Sequence, residues 1–339
     1  MSEVVSNMPM QEQRSEELRR KAISVVNEVR KVIIGKDEII VKVLLAMLSR
    51  GHILLEDIPG VGKTTMAVAL ASAMNLRYNR IQFTPEIMPA DVVGYSAFDA
   101  QSGVLTFRPG AALCNLLLVD EINRASSKTQ SALLEAMEEN AVTVDGVTHR
   151  IEPPYTVVAT QNPVGSAGTQ LLPESQMDRF MVRLSLGYPS VDDEVSILRR
   201  RRGENPLLEV ARAASAADIV EMQRQADEVY VDEDIYRYIA QIVAATRENP
   251  LLRVGASPRA SIALLCMSRS SAWLSGRDYV IPQDIDKVIF DVLEHRVSAD
   301  SRAAVNDEMV RDVITDIVKK TLRPQIVRQR GAAGRRDAG

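Results

Sequence analysis

The sequence predicts an α/β protein: a parallel five-stranded sheet flanked by helices, followed by a C-terminal all-helical domain. Three observations predict it. Short β-rich runs alternate with helical stretches through the first half of the 339 residues, the pattern of a parallel sheet covered on both faces. A glycine-rich segment ending in Lys63-Thr64 stands between the first of those runs and a helix. Beyond Pro189 the β signal fades and helical periodicity takes over.

At roughly 150 residues per domain the length favours two domains. Hydrophobic residues make up 46% and charged residues 25%, which excludes disordered, collagenous and disulfide-dense classes. Lys plus Arg is 41 against 45 for Asp plus Glu, a net charge of −4, so no overall basic surface is available for gripping nucleic acid. Cys114 and Cys266 lie far apart and His52, His149 and His295 are scattered, so neither structural zinc nor a disulfide framework is expected. Glu3, Glu12, Arg14, Glu16 and Glu17 stand where a signal peptide needs an apolar run. No later run approaches the roughly 18 apolar residues of a spanning helix. The expectation is a cytoplasmic protein without membrane insertion.

Residues 1–17 mix Met, Gln, Ser and Glu without a period and predict a flexible tail. From Leu18, the core domain (18–189) opens with Ile23, Val26, Val29 and Ile33 at helical steps, and after Gly35 a second helix carries Ile39, Val43, Ala46 and Met47. The predicted strands are 52–55, 78–83, 116–119, 156–160 and 182–186. Two insertions interrupt the alternation. Residues 83–110, punctuated by Pro85, Pro89, Gly94, Gly103 and Pro109, read as a loop and hairpin; residues 142–151 read as a hairpin turning at Asp145-Gly146. Ile235, Ile239, Ile242 and Val243 typify the helical domain at 190–322, and a basic tail, 323–339, carries five arginines and one aspartate.

The chemistry concentrates at strand ends. Asp57-Ile58-Pro59-Gly60-Val61-Gly62-Lys63-Thr64, between a strand and a helix, has the context of a phosphate-binding loop. Its glycines let backbone N–H groups turn toward phosphates, Lys63 reaches the terminal phosphates, and the Thr64 hydroxyl can ligate magnesium. Asp57 stands where the usual pattern begins with glycine. Asp57, Pro59, Gly60, Val61, Gly62, Lys63, Thr64 and Thr65 are the candidate nucleotide contacts.

The apolar run 116–119 ends in Asp120 and Glu121. On a buried parallel strand these carboxylates reach the C-terminal edge of the sheet, where ligands bind. Asp120 would orient magnesium and Glu121 would polarise the water attacking a γ-phosphate. An amide at Gln161 or Asn162, after the fourth strand, could hold that water. Arg179, before the fifth strand, could reach a phosphate bound elsewhere. Ser257-Pro258-Arg259 reads as an N-cap, a first-turn proline and an arginine aimed out of the helical domain. Arg199 to Arg202 read as a solvated face, and Trp273 and the methionines as packing.

In order along residues 32–297, Ile34-Gly35-Lys36, the loop at 54–64, Phe83-Thr84-Pro85, Asp91-Val92-Val93-Gly94, Phe107-Arg108-Pro109-Gly110 and Val119-Asp120-Glu121-Ile122-Asn123-Arg124-Ala125 resemble the MoxR family of AAA+ ATPases. Ala159-Thr160-Gln161-Asn162-Pro163, Leu172-Pro173-Glu174, Met177-Asp178-Arg179-Phe180 and Gly255-Ala256-Ser257-Pro258-Arg259-Ala260 continue the resemblance. Members often carry Asp at the position of Asp57. The resemblance implies strand order 5-1-4-3-2, a helical lid, Walker A at Gly60 to Thr64 and Walker B at Asp120 and Glu121. It also implies Asn162 as sensor 1, Arg179 as arginine finger and Arg259 as sensor 2, with ATP and Mg2+ as cofactors.

The two insertions correspond to the family's helix-2 insertion and pre-sensor-1 hairpin. A homo-oligomeric, hexameric ring that remodels protein clients beside a partner with a von Willebrand factor A (VWA) domain is the implied function. A DNA-associated motor and a nucleotide-gated scaffold are the alternatives. In this picture Arg259 meets the γ-phosphate when lid and core of one subunit close, and Arg179 serves a neighbour.

Overall fold

The computed structural model describes residues 10–57, 60–100, 103–161, 172–200, 205–299 and 307–325. Helices α1 (Met10–Arg30) and α2 (Asp37–Leu48) lead into β1 (Ile53–Glu56), α3 (Lys63–Ala73) and β2 (Tyr78–Gln82). A short α4 (Pro89–Val93) precedes the hairpin of β3 (Gly94–Asp99) and β4 (Val104–Pro109). Next come β5 (Leu116–Asp120), α5 (Ser127–Glu139), the hairpin of β6 (Ala141–Val144) and β7 (Val147–Arg150), then β8 (Thr156–Gln161), α6 (Glu174–Met177) and β9 (Val182–Leu184). The C-terminal half holds α7 (Val191–Arg200), α8 (Ala216–Asp227), α9 (Glu233–Glu248), β10 (Leu252–Val254), α10 (Pro258–Leu274), α11 (Pro282–Asp286), α12 (Ile289–Leu293), β11 (Ser298–Ala299) and α13 (Asp307–Lys320).

Five strands form one parallel sheet in the order β2-β5-β8-β1-β9, which is the expected 5-1-4-3-2. Central β5 and β8 are buried along their whole length, so their sequences read as continuous apolar runs instead of alternating ones. Side chains still divide by parity. Ile53, Leu55, Leu116, Leu118 and Val158 face a layer that includes α1, α2 and α3, while Leu54, Leu117, Val119, Val157 and Ala159 face α5 and Phe83. The first cluster continues without a break into the lid through Met222 on α8, Ile239 on α9 and Leu264 and Met267 on α10. The β6–β7 hairpin turns at Asp145 and Gly146, both with positive φ (50° and 79°), as a two-residue Asp-Gly turn requires.

The tail expected over 1–17 is helical from Met10 onward. Glu16 pairs with Arg19 at 2.9 Å and Glu17 with Lys21 at 3.4 Å, a charge-supported turn that carries no apolar period. Lys21 also reaches Asp218 on α8 at 2.9 Å. Residues 1–9, and 326–339 of the C-terminal tail, lie outside the described residues. Among the described residues the regular structure of the lid is helical apart from the short antiparallel pair β10–β11, whose strands are too brief to show a period, and an isolated bridge between Tyr230 and Tyr279.

Two buried groups lock neighbouring segments together. The Arg296 side chain, 3% exposed, donates from Nε to Asp178 Oδ1 at 2.9 Å. Its Nη1 donates to the carbonyls of Met181 (3.0 Å) and Val292 (2.6 Å), and its Nη2 to those of Asp178 (3.1 Å) and Phe180 (2.5 Å). Burial draws its pKa down to about 10, so it stays charged at neutral pH. Ser257, which caps α10, donates its hydroxyl to Asp178 Oδ2 at 2.8 Å. Lid and core are thereby tied at the segment that carries Arg179.

His52 is the second group. Its Nε2–H donates to Met137 O at 2.9 Å, and its Nδ1 accepts the Val157 N–H at 3.0 Å. Burial pushes the imidazole down to about 4.

Two outcomes are expected. Arg296→Ala strands a part-buried carboxylate and several carbonyls, so urea unfolding should show a loss of about 3 kcal/mol; an unchanged midpoint contradicts the tie. For His52, the unfolded ring takes a proton below about pH 6.5 while the folded ring resists until about 4. Its contribution is therefore full above pH 6.5 and falls away toward pH 4, by up to ~3 kcal/mol. Burial of His295 acts in the same direction, so the comparison must be with a His52 variant. The stability gap between wild type and His52→Gln should narrow as pH falls from 7 to 4.5, whereas a pH-independent gap contradicts the assignment.

Candidate nucleotide-binding site

The C-terminal ends of β1, β5 and β8 open onto a cavity of about 340 Å³ lined by Gly60, Gly62, Lys63, Thr64 and Thr65 on one side and Asp120, Glu121, Thr160 and Gln161 on the other. Gly60 and Gly62 both have positive φ, 90° and 98°, a conformation that strains any residue with a Cβ. Gly62 is the N-cap of α3, so Lys63, Thr64 and Thr65 form the first turn, where free N–H groups favour an anion. The Lys63 ammonium donates to Asp57 O at 2.7 Å. Burial lowers its pKa, with Asp57, Asp120 and Glu121 opposing the shift.

Asp57 also lines this cavity, and its side chain is engaged in bracing the loop. Its carboxylate accepts from Ser185 Oγ (2.6 Å), Leu186 N–H (2.7 Å) and Gly187 N–H (3.0 Å), so the side chain anchors the segment after β9 while its carbonyl holds Lys63. Aspartate in place of the first glycine is a brace for the loop. Pro59 and Asn162 lie outside the described residues.

Asp120 and Glu121 sit at the end of β5, on the cavity. Asp120 Oδ2 accepts from Arg80 Nε at 2.7 Å and Oδ1 from Thr160 Oγ1 at 3.3 Å. Glu121 is left-handed, with φ 56° and ψ 50°, a strained state that a rigid surrounding must impose. Thr160 Oγ1 accepts the Glu121 N–H at 3.0 Å, and Glu121 Oε2 pairs with Arg124 at 2.7 Å. The Thr64 hydroxyl and the Asp120 carboxylate, hard oxygens on one cavity, suit magnesium. That ion takes few protein ligands and completes its shell from phosphate and water. Among the described residues no cluster of three His, Cys, Asp or Glu could hold a metal unaided.

Sequence reasoning misses three features. Arg80, on edge strand β2, enters the cavity and neutralises Asp120; nothing in its local pattern separates it from a solvated residue. Gln161 donates from Nε2 to Glu56 Oε1 at 3.1 Å, and Glu56 Oε2 accepts from Arg183 at 2.8 Å, a link across three strands. A second cavity of about 530 Å³ shares Gly60, Gly62 and Thr65 with the first and has apolar walls at Val32, Ile33, Ile34, Val61, Pro189, Ile197 and Leu207. Lys31, Lys36, Arg200 and Asn205 line it too; a cavity with apolar walls and a polar rim adjoining a phosphate loop suits a nucleobase, and the sequence signal for it is Ile34-Gly35-Lys36.

Arg179 and Arg259 line neither cavity. They border a cleft of about 380 Å³ together with Arg50, Gly51, His52, Met137, Glu138 and Met181. Arg179 Nη1 pairs with Glu138 Oε2 at 2.7 Å and donates to Leu134 O at 3.1 Å, and Arg259 Nη2 pairs with Glu138 Oε1. His52 and Asp57 bracket β1 and stand about 16 Å apart at ~3.3 Å per residue. Arg259 therefore lies toward the end of the sheet opposite its own phosphate loop, held there because the cap of its helix is bonded to Asp178. In this arrangement Arg259 faces Glu138, away from its own phosphate loop.

Residues 52–182 match the model of the ATPase family associated with various cellular activities (AAA), and residues 244–319 match that of an AAA lid domain. The uncharacterized protein YeaC of Bacillus subtilis (strain 168) is 43% identical, over 86% of this chain and 92% of its own length. Chaperone MoxR1 of Mycobacterium tuberculosis (strain ATCC 25618 / H37Rv) is 38% identical, over 88% of this chain and 81% of its own. The crystal structure of a candidate ATPase from Cytophaga hutchinsonii superposes with a TM-score of 0.86 at 36% identity, covering 93% of this chain and 98% of that one. With motifs, sheet order, lid and relatives in agreement, the chain belongs to the MoxR family of AAA+ ATPases.

Proposed function

We propose that this protein binds ATP with magnesium and hydrolyses it within a homo-oligomeric ring, and that the cycle remodels or matures protein clients. The observation that carries the reading is a division of labour. Lys63, Thr64, Asp120 and Glu121 share one cavity, while Arg179 and Arg259 share another toward the far end of β1.

In this reading the amides from Gly60 to Thr65 and the Lys63 ammonium hold the phosphates, and the apolar slot beside them takes the base. Thr64 and Asp120 would hold magnesium, which when bound offsets charge on the phosphate oxygens. Glu121 takes a proton from the attacking water, its strained backbone fixing the carboxylate at the strand end, and Arg124 must yield for that carboxylate to act. Asn162 would orient the same water from the end of β8. Arg179 and Arg259 complete a neighbouring subunit's site, where guanidinium groups stabilise charge on the transferring phosphoryl group.

The relative named as a chaperone supports protein clients as the target. The hexameric ring size, a VWA-domain partner and a cytoplasmic location rest on the family resemblance.

The test mixes subunits. Glu121→Gln alone should lower turnover by about 10²- to 10⁴-fold, as for a lost general base, and Arg179→Ala by about 10³-fold or more, as for a lost arginine finger. Co-assembled, they should regain activity wherever an intact Glu121 faces an intact Arg179. Arg259→Ala mixed with Glu121→Gln should behave the same way. Co-assembly without recovery would overturn the division between subunits.

A further inference from the structure

We infer that Glu138 is a built-in counter-ion that occupies, in the separate subunit, the place that a neighbour's terminal phosphate takes on assembly. The inference rests on the reading that Arg179 and Arg259 serve a second copy of this chain. Glu138 lies in the last turn of α5 and presents one carboxylate oxygen to each arginine, Oε2 to Arg179 at 2.7 Å and Oε1 to Arg259. Two guanidinium groups, one from the core and one from the lid, thus converge on a single anion, the arrangement that phosphate oxygens also satisfy.

The other charges in the cleft are already committed. Arg296 and Asp178 bond each other, and Asp178 also accepts from Ser257. Arg50 pairs with Asp227, and burial keeps His52 neutral at physiological pH. Glu138 is left as the anion that faces the pair, and it is accessible: its side chain is 40% exposed, against 32% for Arg179 and 47% for Arg259. Exposed ion pairs are weak, so two of them together hold the arginines by about 3- to 30-fold in an equilibrium. A γ-phosphate, carrying more charge and more acceptor oxygens, can displace such a partner. A β-phosphate sits one position further from the interface and cannot. Glu138 thereby raises the threshold for assembly driven by the triphosphate, while reach alone keeps the diphosphate from driving it.

The experiment is sedimentation velocity of the full chain across a concentration series, with a non-hydrolysable ATP analogue and with ADP. Glu138→Gln should lower the association midpoint by about 3- to 30-fold with the analogue and leave it unchanged with ADP. Glu138→Asp, which keeps the charge but is too short to bridge both arginines, should fall between. Adding Arg179→Ala to Glu138→Gln should abolish the gain. A midpoint that is unchanged or raised with the analogue, or lowered equally with ADP, overturns the inference. If the mixed subunits recover activity while Glu138→Gln leaves the midpoint unchanged, the counter-ion role alone fails. If they do not recover, the trans reading fails and the inference with it.

Discussion

The Arg296 guanidinium, buried where lid meets core, fixes the junction on which the placement of Arg179 and Arg259 depends. It bonds the carboxylate of Asp178 and the carbonyls of Asp178, Phe180 and Met181, three residues that flank Arg179. The second carboxylate oxygen of Asp178 takes the hydroxyl of Ser257, two residues before Arg259. One buried ion pair therefore brings together an arginine from the core and an arginine from the lid. A charge so buried is costly unless fully bonded, and here every donor nitrogen of Arg296 has a partner, so the geometry is sharply specified.

At the other end of β1 the same economy appears with opposite sign. Asp57 is 5% exposed and its carboxylate is saturated by Ser185, Leu186 and Gly187, which joins the phosphate loop to the segment leaving β9. The Glu56, Gln161 and Arg183 link lies one residue earlier. Glu294 on the lid side approaches Arg183 at 3.9 Å and receives Arg311 at 2.6 Å. A continuous set of charged and amide groups thus runs from the nucleotide cavity to α13.

Much of this is legible in the sequence because the relevant signals are local. Gly60, Gly62 and Lys63 show their purpose by spacing between a strand and a helix. Asp120 and Glu121 show theirs by ending a run too apolar for an exposed strand, and Asp145-Gly146 announces its hairpin by turn chemistry alone. What the sequence does not show has one cause: it concerns where distant segments dock. The cap and proline before it place Arg259 correctly on the first turn of a helix, but no periodicity says which end of the sheet that helix cap meets. Asp57 looks like an ordinary loop member because its three partners lie about 130 residues away. The start of α1 gives no signal, since ion pairs along an exposed face leave no hydrophobic period, and Arg80 and Arg296 look locally like any surface arginine.

The central claim is that each subunit carries its phosphate loop and its phosphate-sensing arginines on opposite sides, so that a complete site exists only between two copies. The most direct measurement is a cryo-electron microscopy structure of the assembled protein with a non-hydrolysable ATP analogue, read at the γ-phosphate. The account predicts the guanidinium groups of Arg179 and Arg259 within hydrogen-bonding distance, about 2.7–3.2 Å, of the γ-phosphate bound by the neighbouring subunit. An Arg259 guanidinium on the γ-phosphate of its own subunit would contradict it.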